Sequence, residues 1–317
     1  MRQAQFEAEH SADWSRIDAL LSGKAADAAE LPALYRRLCQ ALALARQRGY
    51  SPALADYLQK LVSDCHQALY GAVVERPMAL REWLLREMPR RVREEWRLLI
   101  FVLLAFWGVA LAVGLAVWLD ANLAYSFIDP QQLAAIERMY QPSRDRLGRG
   151  GADSDVMMFG FYIWNNVSIS FRTFAAGIFA GVPALLSLTF NGMHLGVVGA
   201  WLSRDAATAS TFWSFVITHA SFEITGLLLA ALAGMRLGLA LLSPRRLTRR
   251  SALLAASRRM FPVLVGAAML TVLAAFFEAF WSANGALDVN VKFAVGGACW
   301  FAVIAFFALA GRASNSH

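Results

Sequence analysis

The chain has 317 residues, 58% of them apolar and only 17% charged, against about 25% charged in an average soluble domain. Its formal charge of +7 comes from 30 basic and 23 acidic residues, of which 15 and 10 fall in residues 98–317. That portion contains uncharged stretches at 98–119 and 173–203, which a soluble protein of this length does not show. The chain reads as a polytopic membrane protein.

Several classes drop out. Cys39, Cys65 and Cys299 form no CxxC or Cys/His pairing, so neither a zinc ribbon nor a disulfide framework is expected. No GxGxxG follows a strand and no GxxxxGK[ST] occurs, which argues against nucleotide hydrolysis. A secretory leader is not expected, because residues 1–97 lack a basic segment followed by an apolar stretch and a small-residue cleavage site. Loop arginines beside a membrane account for the basic pI, and no nucleic-acid partner is expected.

Residues 1–97 read as a cytoplasmic helical domain. Phe6, Trp14, Ile17, Leu20 and Leu21 recur near helical spacing until Ser22-Gly23 interrupts. A second helix opens near Leu31-Pro32, with proline tolerated in the first turn, and ends at Gly49-Tyr50. Ser51-Pro52 opens a third, with Leu54, Leu58, Leu61, Val62, Leu69 and Tyr70 on one face. From Pro77 to Trp96, arginines alternate with Met78, Leu80, Trp83, Leu84, Leu85, Met88 and Val92. That pattern suits an amphipathic helix lying on an anionic membrane surface, with a further bundle helix as the alternative.

Residues 98–312 form the transmembrane domain. Leu98–Leu119 is uncharged and spans about 33 Å as a helix. A polar loop at 120–155 follows. The stretch from Val156 to Leu202 is too long for one crossing and breaks at Gly181-Val182-Pro183, giving spans at 157–180 and 184–202 or one re-entrant hairpin. Further spans fall at 211–242, 260–281 and 291–309, for six crossings, or five plus the hairpin. The arginine clusters at 90–97 and 245–259 are assigned to the cytoplasm, which places both termini there and the 120–155 loop outside. The expected membrane is the bacterial inner membrane, with the lipid bilayer as a partner.

Polar residues at membrane depth carry most of the functional information, since a charged one costs roughly 2.5–3.5 kcal/mol on insertion scales. Asn165 and Arg172, with Ser168 between them, share one helical face. Asn191 and His194 share another, and His219 and Glu223 a third. The simplest arrangement pairs Arg172 with Glu223 inside the bundle, with Asn165, Asn166, Asn191, His194 and His219 hydrogen-bonded around them. Such a cluster either fixes helix register or lines a path for an ion or small polar solute. Glu278 and Lys292 flank the 282–290 loop closely enough to pair across it. A metal or hydrolytic centre at His219-x-x-x-Glu223 with His194 lacks the second histidine of HExxH, and no GxSxG turn supports a serine nucleophile. No catalytic residue, metal or cofactor is expected. Gly177-x-x-x-Gly181 and Gly234-x-x-x-Gly238, with Gly192, fit the small-xxx-small pattern of close helix packing, either internal or between subunits.

The run Asn165-Asn166, Gly177, Gly181, Asn191-Gly192, His219-x-x-x-Glu223 and Gly234-x-x-x-Gly238, preceded by a helical N-terminal region such as Glu30–Arg46, resembles the stage II sporulation protein M family. The likeness is nearest to its proteobacterial, non-sporulation branch. Ala220-Ser221 departs from the pattern, because the family often has glycine beside this histidine. The resemblance implies a multi-spanning membrane scaffold that recruits envelope partners. The expected protein is therefore an all-α, polytopic, non-enzymatic scaffold that self-associates, a dimer being favoured. The alternative is a channel or transporter using the polar cluster.

Overall fold

The computed structural model describes residues 2–22, 28–70, 80–149 and 154–312, and the chain divides into two compact units, Met1–Pro77 and Met78–His317. Regular structure among the described residues is helical, as expected, with one isolated bridge between Arg146 and Asn284.

The first unit holds α1 (Gln3–Leu21), α2 (Leu31–Gln47) and α3 (Pro52–Tyr70). Spacings of three and four bring Leu34, Leu38, Ala41, Leu42 and Ala45 of α2 onto one buried stripe. It packs against Phe6, Trp14 and Ile17 of α1 and Leu54, Leu58, Leu61 and Cys65 of α3. Gly49, at φ +63°, reverses the chain between α2 and α3. Gln3 ties the start of α1 to that turn through Ser51, donating to its Oγ at 2.9 Å and accepting from its N at 3.0 Å. Tyr70, expected on the inner face of α3, is instead exposed. Burial pushes the Cys65 thiol up to about 11, so it stays protonated at neutral pH.

The second unit begins earlier than expected. Residues 80–97 pack with the membrane helices, so the boundary falls at 77/78 and not after residue 97. Residues 77–79 of the expected amphipathic helix lie outside the described residues. Its remainder includes α4 (Met88–Glu94), whose Met88, Pro89 and Val92 are buried. Met88 and Val92 share a core with Ala233, Met260 and Val263, so much of the apolar stripe meant for lipid faces protein.

The long helices are α5 (Trp96–Leu119), α7 (Asp155–Gly177), α8 (Val182–Leu202), α9 (Ala206–Leu242), α10 (Arg249–Ser282) and α11 (Val289–Leu309), with α6 (Pro130–Met139) in the connecting loop. Five of them, all but α7, are long and apolar enough to cross a membrane. α7 has 23 residues, enough for about 34 Å. Its Asn165, Asn166, Ser168, Ser170, Arg172 and Thr173 make it more polar than the rest. Ser154, Asp205, Thr248 and Asp288 cap α7, α9, α10 and α11, each side chain accepting from a backbone N–H of the first turn.

α9 is the axis of this unit. Leu228, Leu229, Ala230, Ala231, Leu232 and Ala233 are all buried in succession, so the helix is enclosed on every side there. The two glycine motifs meet each other: a Cβ on Gly177 would overlap the Gly234 backbone, and one on Gly238 would overlap the Gly177 carbonyl. Gly192 likewise presses α8 onto the Phe106 carbonyl of α5. These stripes are used inside the chain. The chain reverses between α7 and α8 at Ala180 and Gly181, with φ +57° and +78°.

Ion pairs hold the arginine-rich end. Glu95 receives Arg236 at 2.9 Å and Arg259 at 3.1 Å, while Glu94 receives Arg91 at 3.0 Å and Arg259 at 3.1 Å. At the opposite end the segment before α7 folds over the end of α10. Leu147 N donates to Ala283 O at 2.9 Å, and Gly285 N to Asp145 O at 2.9 Å. The buried Arg149 donates to Asp155 Oδ1 and to Ala279 O, both at 2.7 Å.

Gly234→Leu is expected to destabilise the protein by about 1–3 kcal/mol or more, because the new side chain must displace Phe174 backbone. Gly160→Ala, where a Cβ meets open space, is expected to leave stability within about 0.5 kcal/mol. Thermal unfolding in detergent, followed by helical circular dichroism, separates the two. By the same measurement Arg149→Met is expected to cost about 3 kcal/mol through loss of a buried charge-assisted pair. Arg146→Met removes only an exposed pair to Asp155 and is expected to cost under about 1 kcal/mol.

Candidate functional site

Within the second unit a cavity of about 310 Å³ opens beside the middle of α9. His219 and Glu223 lie one turn apart on the face that looks into it. His219 is 5% exposed, and Phe215 meets its ring edge-on at 4.9 Å between centroids. Its Nδ1 lies 3.0 Å from Ser282 Oγ, and its Nε2 lies 3.9 Å from Glu223 Oε2, beyond hydrogen-bond range.

Glu278 enters from α10. The last stretch of that helix, Phe277–Ser282, widens into a π turn, a distortion often found at functional sites. One carboxylate oxygen of Glu223, one of Glu278 and one imidazole nitrogen of His219 all lie within 4.8 Å of one another. Asn166 of α7 donates from Nδ2 to Glu278 Oε2 at 3.4 Å, and its own Oδ1 accepts from Asn165 Nδ2 at 2.9 Å. Asn191 and His194 of α8 line the same cavity, and Asn191 Nδ2 donates to Ser187 O at 2.8 Å.

Ile136, Met139 and Tyr140 close the cavity from the loop side. Tyr140 is held edge-on by Phe212 and Phe215, and its carbonyl accepts from Thr211 Oγ1. Burial pushes the Tyr140 phenol well above its ordinary range, and the Glu278 carboxylate pushes it the same way, so it is a neutral group. On the other side Phe106, Ile224 and Leu227 bound the space.

The expected cluster is thus partly assembled. Asn166, Asn191, His194, His219 and Glu223 share the cavity, while Asn165 stands behind Asn166. Arg172 does not join them. It is exposed, and among the described residues it makes no ion pair, so the expected Arg172–Glu223 pair is not formed. The reason is rotational. α7 buries Asn166, Ser170, Thr173 and Gly177, an i, i+4, i+7, i+11 stripe, and residue 172 falls about 240° around the helix from residue 166.

The expected Glu278–Lys292 pair is also absent. Lys292 is buried, but its Nζ donates to Ser282 O at 2.9 Å, while Glu278 turns to the cavity. Glu278, Ser282 and Tyr140 are the site residues that sequence reasoning missed. A lone acid inside the 260–281 span was the available signal for Glu278.

The family described as Stage II sporulation protein M matches residues 97–283, more than half of the chain. Residues 4–71, the three helices of the first unit, match a domain of unknown function (DUF8413). Uncharacterized protein MJ0793 of Methanocaldococcus jannaschii is 28% identical over 79 residues, which cover 25% of this chain and 44% of that protein. The chain therefore aligns with less than half the length of that relative. No solved structure matches. The matched region contains the glycine contact of α7 with α9, the His219–Glu223 face and Glu278, and this multi-pass membrane protein belongs to the stage II sporulation protein M family.

Proposed function

We propose that the protein is a non-enzymatic scaffold of the bacterial inner membrane that organises partner proteins at the cell envelope, with both termini in the cytoplasm. The observation that carries this reading is how closely the helices pack beyond the polar cavity. Beyond Leu227, α9 continues as Leu228–Ala233, none of it more than 6% exposed. It then meets α7 backbone to backbone at Gly234 and Gly238. A path for solute through the chain would have to part helices that touch without intervening side chains. Interiors packed to this density are not continuously deformable.

The distribution of arginines supports the orientation. Arg236 and Arg259 share Glu95. Arg245, Arg246, Arg249, Arg250 and Arg258 occupy the α9–α10 connection or the first turns of α10, at the same end of those two helices. Such an excess favours the cytoplasmic side. A separately folded helical unit at 1–77 suits the capture of partners away from the bilayer. Because the glycine stripes are engaged internally, self-association as a dimer uses other lipid-facing surfaces, such as the exposed Leu104, Leu111 and Leu115 of α5.

Purification of the full chain from native membranes in mild detergent, with cross-linking and partner stoichiometry, is the test. A protein partner is expected at fixed stoichiometry, and it should be lost from a chain lacking residues 1–77 whose membrane unit remains monodisperse. The same protein in liposomes is expected to carry no ion or solute flux. Flux abolished by Glu223→Gln, in a chain purified without partners, overturns the scaffold in favour of a transport path.

A further inference from the structure

His219, Glu223 and Glu278 offer an arrangement that the scaffold reading does not use. They come from two helices, they present two kinds of ligand atom, and those atoms lie within 4.8 Å of one another. The histidine is pre-oriented: Ser282 Oγ lies 3.0 Å from its Nδ1, while its Nε2 lies on the side of the carboxylates, 3.9 Å from Glu223 Oε2. Metal-binding histidines are typically fixed in this way through their second nitrogen. Glu278 is supported by Asn166, itself braced by Asn165. Glu223 accepts no hydrogen bond among the described residues, and His219 Nε2 lies 3.9 Å from its Oε2.

Two carboxyl groups at membrane depth are costly as anions unless a cation faces them. Lys292 is committed to Ser282 O, and Arg172 lies exposed on the outer face of α7. The cavity of about 310 Å³ beside the three ligands leaves room for water or a small ligand to complete a coordination shell.

We propose that His219, Glu223 and Glu278 bind one divalent transition-metal ion of the zinc class, joining α9 to α10 with its remaining positions open to the cavity. Zinc bonds of about 2.0–2.2 Å in a tetrahedral site place ligand atoms roughly 3.3–3.5 Å apart. Spacings of up to 4.8 Å call for a closure of up to about 1.5 Å, within the reach of the two glutamate side chains moving together. The mixture of imidazole and carboxylate favours zinc, iron or manganese. Calcium takes six to eight oxygen ligands, and magnesium keeps most of its waters. This assignment is independent of the scaffold reading, because an ion can bind whether or not a partner does.

The test uses the full chain in detergent, stripped with a chelator and dialysed, then titrated with Zn²⁺ by calorimetry and assayed for bound metal. One zinc ion per chain is expected. Glu223→Gln and Glu278→Gln, which keep side-chain volume, should each weaken binding at least about tenfold, and Ser282→Ala about 10- to 100-fold. His66→Gln, on the exposed face of α3 in the first unit, should bind as the wild type does. Co²⁺ in place of Zn²⁺ should give the intense visible absorption of a low-symmetry site, lost in Glu278→Gln. Size-exclusion profiles and helical dichroism identify the folded variants; if neither glutamine variant folds, Ser282→Ala with His66→Gln decides the question. Absence of stoichiometric zinc on the folded wild type overturns the proposal. So does undiminished binding by a folded Glu278→Gln or Ser282→Ala chain, or loss in His66→Gln equal to that in the trio.

Discussion

The second unit depends on the contact between Gly177 of α7 and Gly234 and Gly238 of α9. In lipid there is little hydrophobic gain from pressing one apolar helix on another, so association rests on dispersion and on how closely backbones approach. α7 carries too many amides and hydroxyls to face acyl chains all round, and removing the side chains at one end lets it lie directly on α9. Farther along, side chains occupy the space between helices. Thr173 bonds Ser187 of α8 at 2.5 Å, and Asn166 reaches Glu278. The cavity belongs to the half of the unit where side chains replace backbone contact.

The two ends of the helices are then held by different chemistry. At the arginine-rich end, Glu94 and Glu95 each collect more than one guanidinium from separate helices, a network whose members share their desolvation. At the other end, few charges are involved. Arg149 and backbone hydrogen bonds at Leu147 and Gly285 seat the loop on the end of α10, and Tyr140 seals the cavity with a ring whose hydroxyl stays neutral. A charged phenol there would stand without a cation beside it, next to the carboxyl groups of the cavity.

The architecture was legible where residues obey a local rule. Pro32 and Pro52 open α2 and α3, and the 98–119 and 291–309 stretches announce themselves by length alone. The glycine motifs were legible as packing surfaces, although spacing alone does not say whether the partner is another helix of the chain or another subunit. Two features were not legible. Asn165 and Asn166 are adjacent, so spacing admits two polar faces of α7 about 100° apart. The choice between them depends on where Gly177 meets α9, which is a tertiary fact. Glu278 sits in a π turn, and a wider turn shifts every later side chain off the 3.6-residue period from which faces are read. The boundary after residue 77 escaped for a related reason, since the same arginine and apolar alternation suits a headgroup layer or a helix seated on protein.

The π turn also bears on how the cavity sits within a tightly packed bundle. In a regular helix Glu278 and Ser282, four residues apart, would share one face, about 40° from each other. With the widened turn, Ala279 and Ser282 stay buried, Ser282 contacts His219, and Glu278 still faces the cavity. The helix end thus brings an acid beside the His219–Glu223 pair while Ala279 and Ser282 remain in the core. The loop from Met139 to Arg149 covers that helix end with backbone hydrogen bonds from Leu147 to Ala283 and from Gly285 to Asp145. The polar site and the loop that caps it thus form a single construction, because the helix end that the loop covers carries both Glu278 and Ser282.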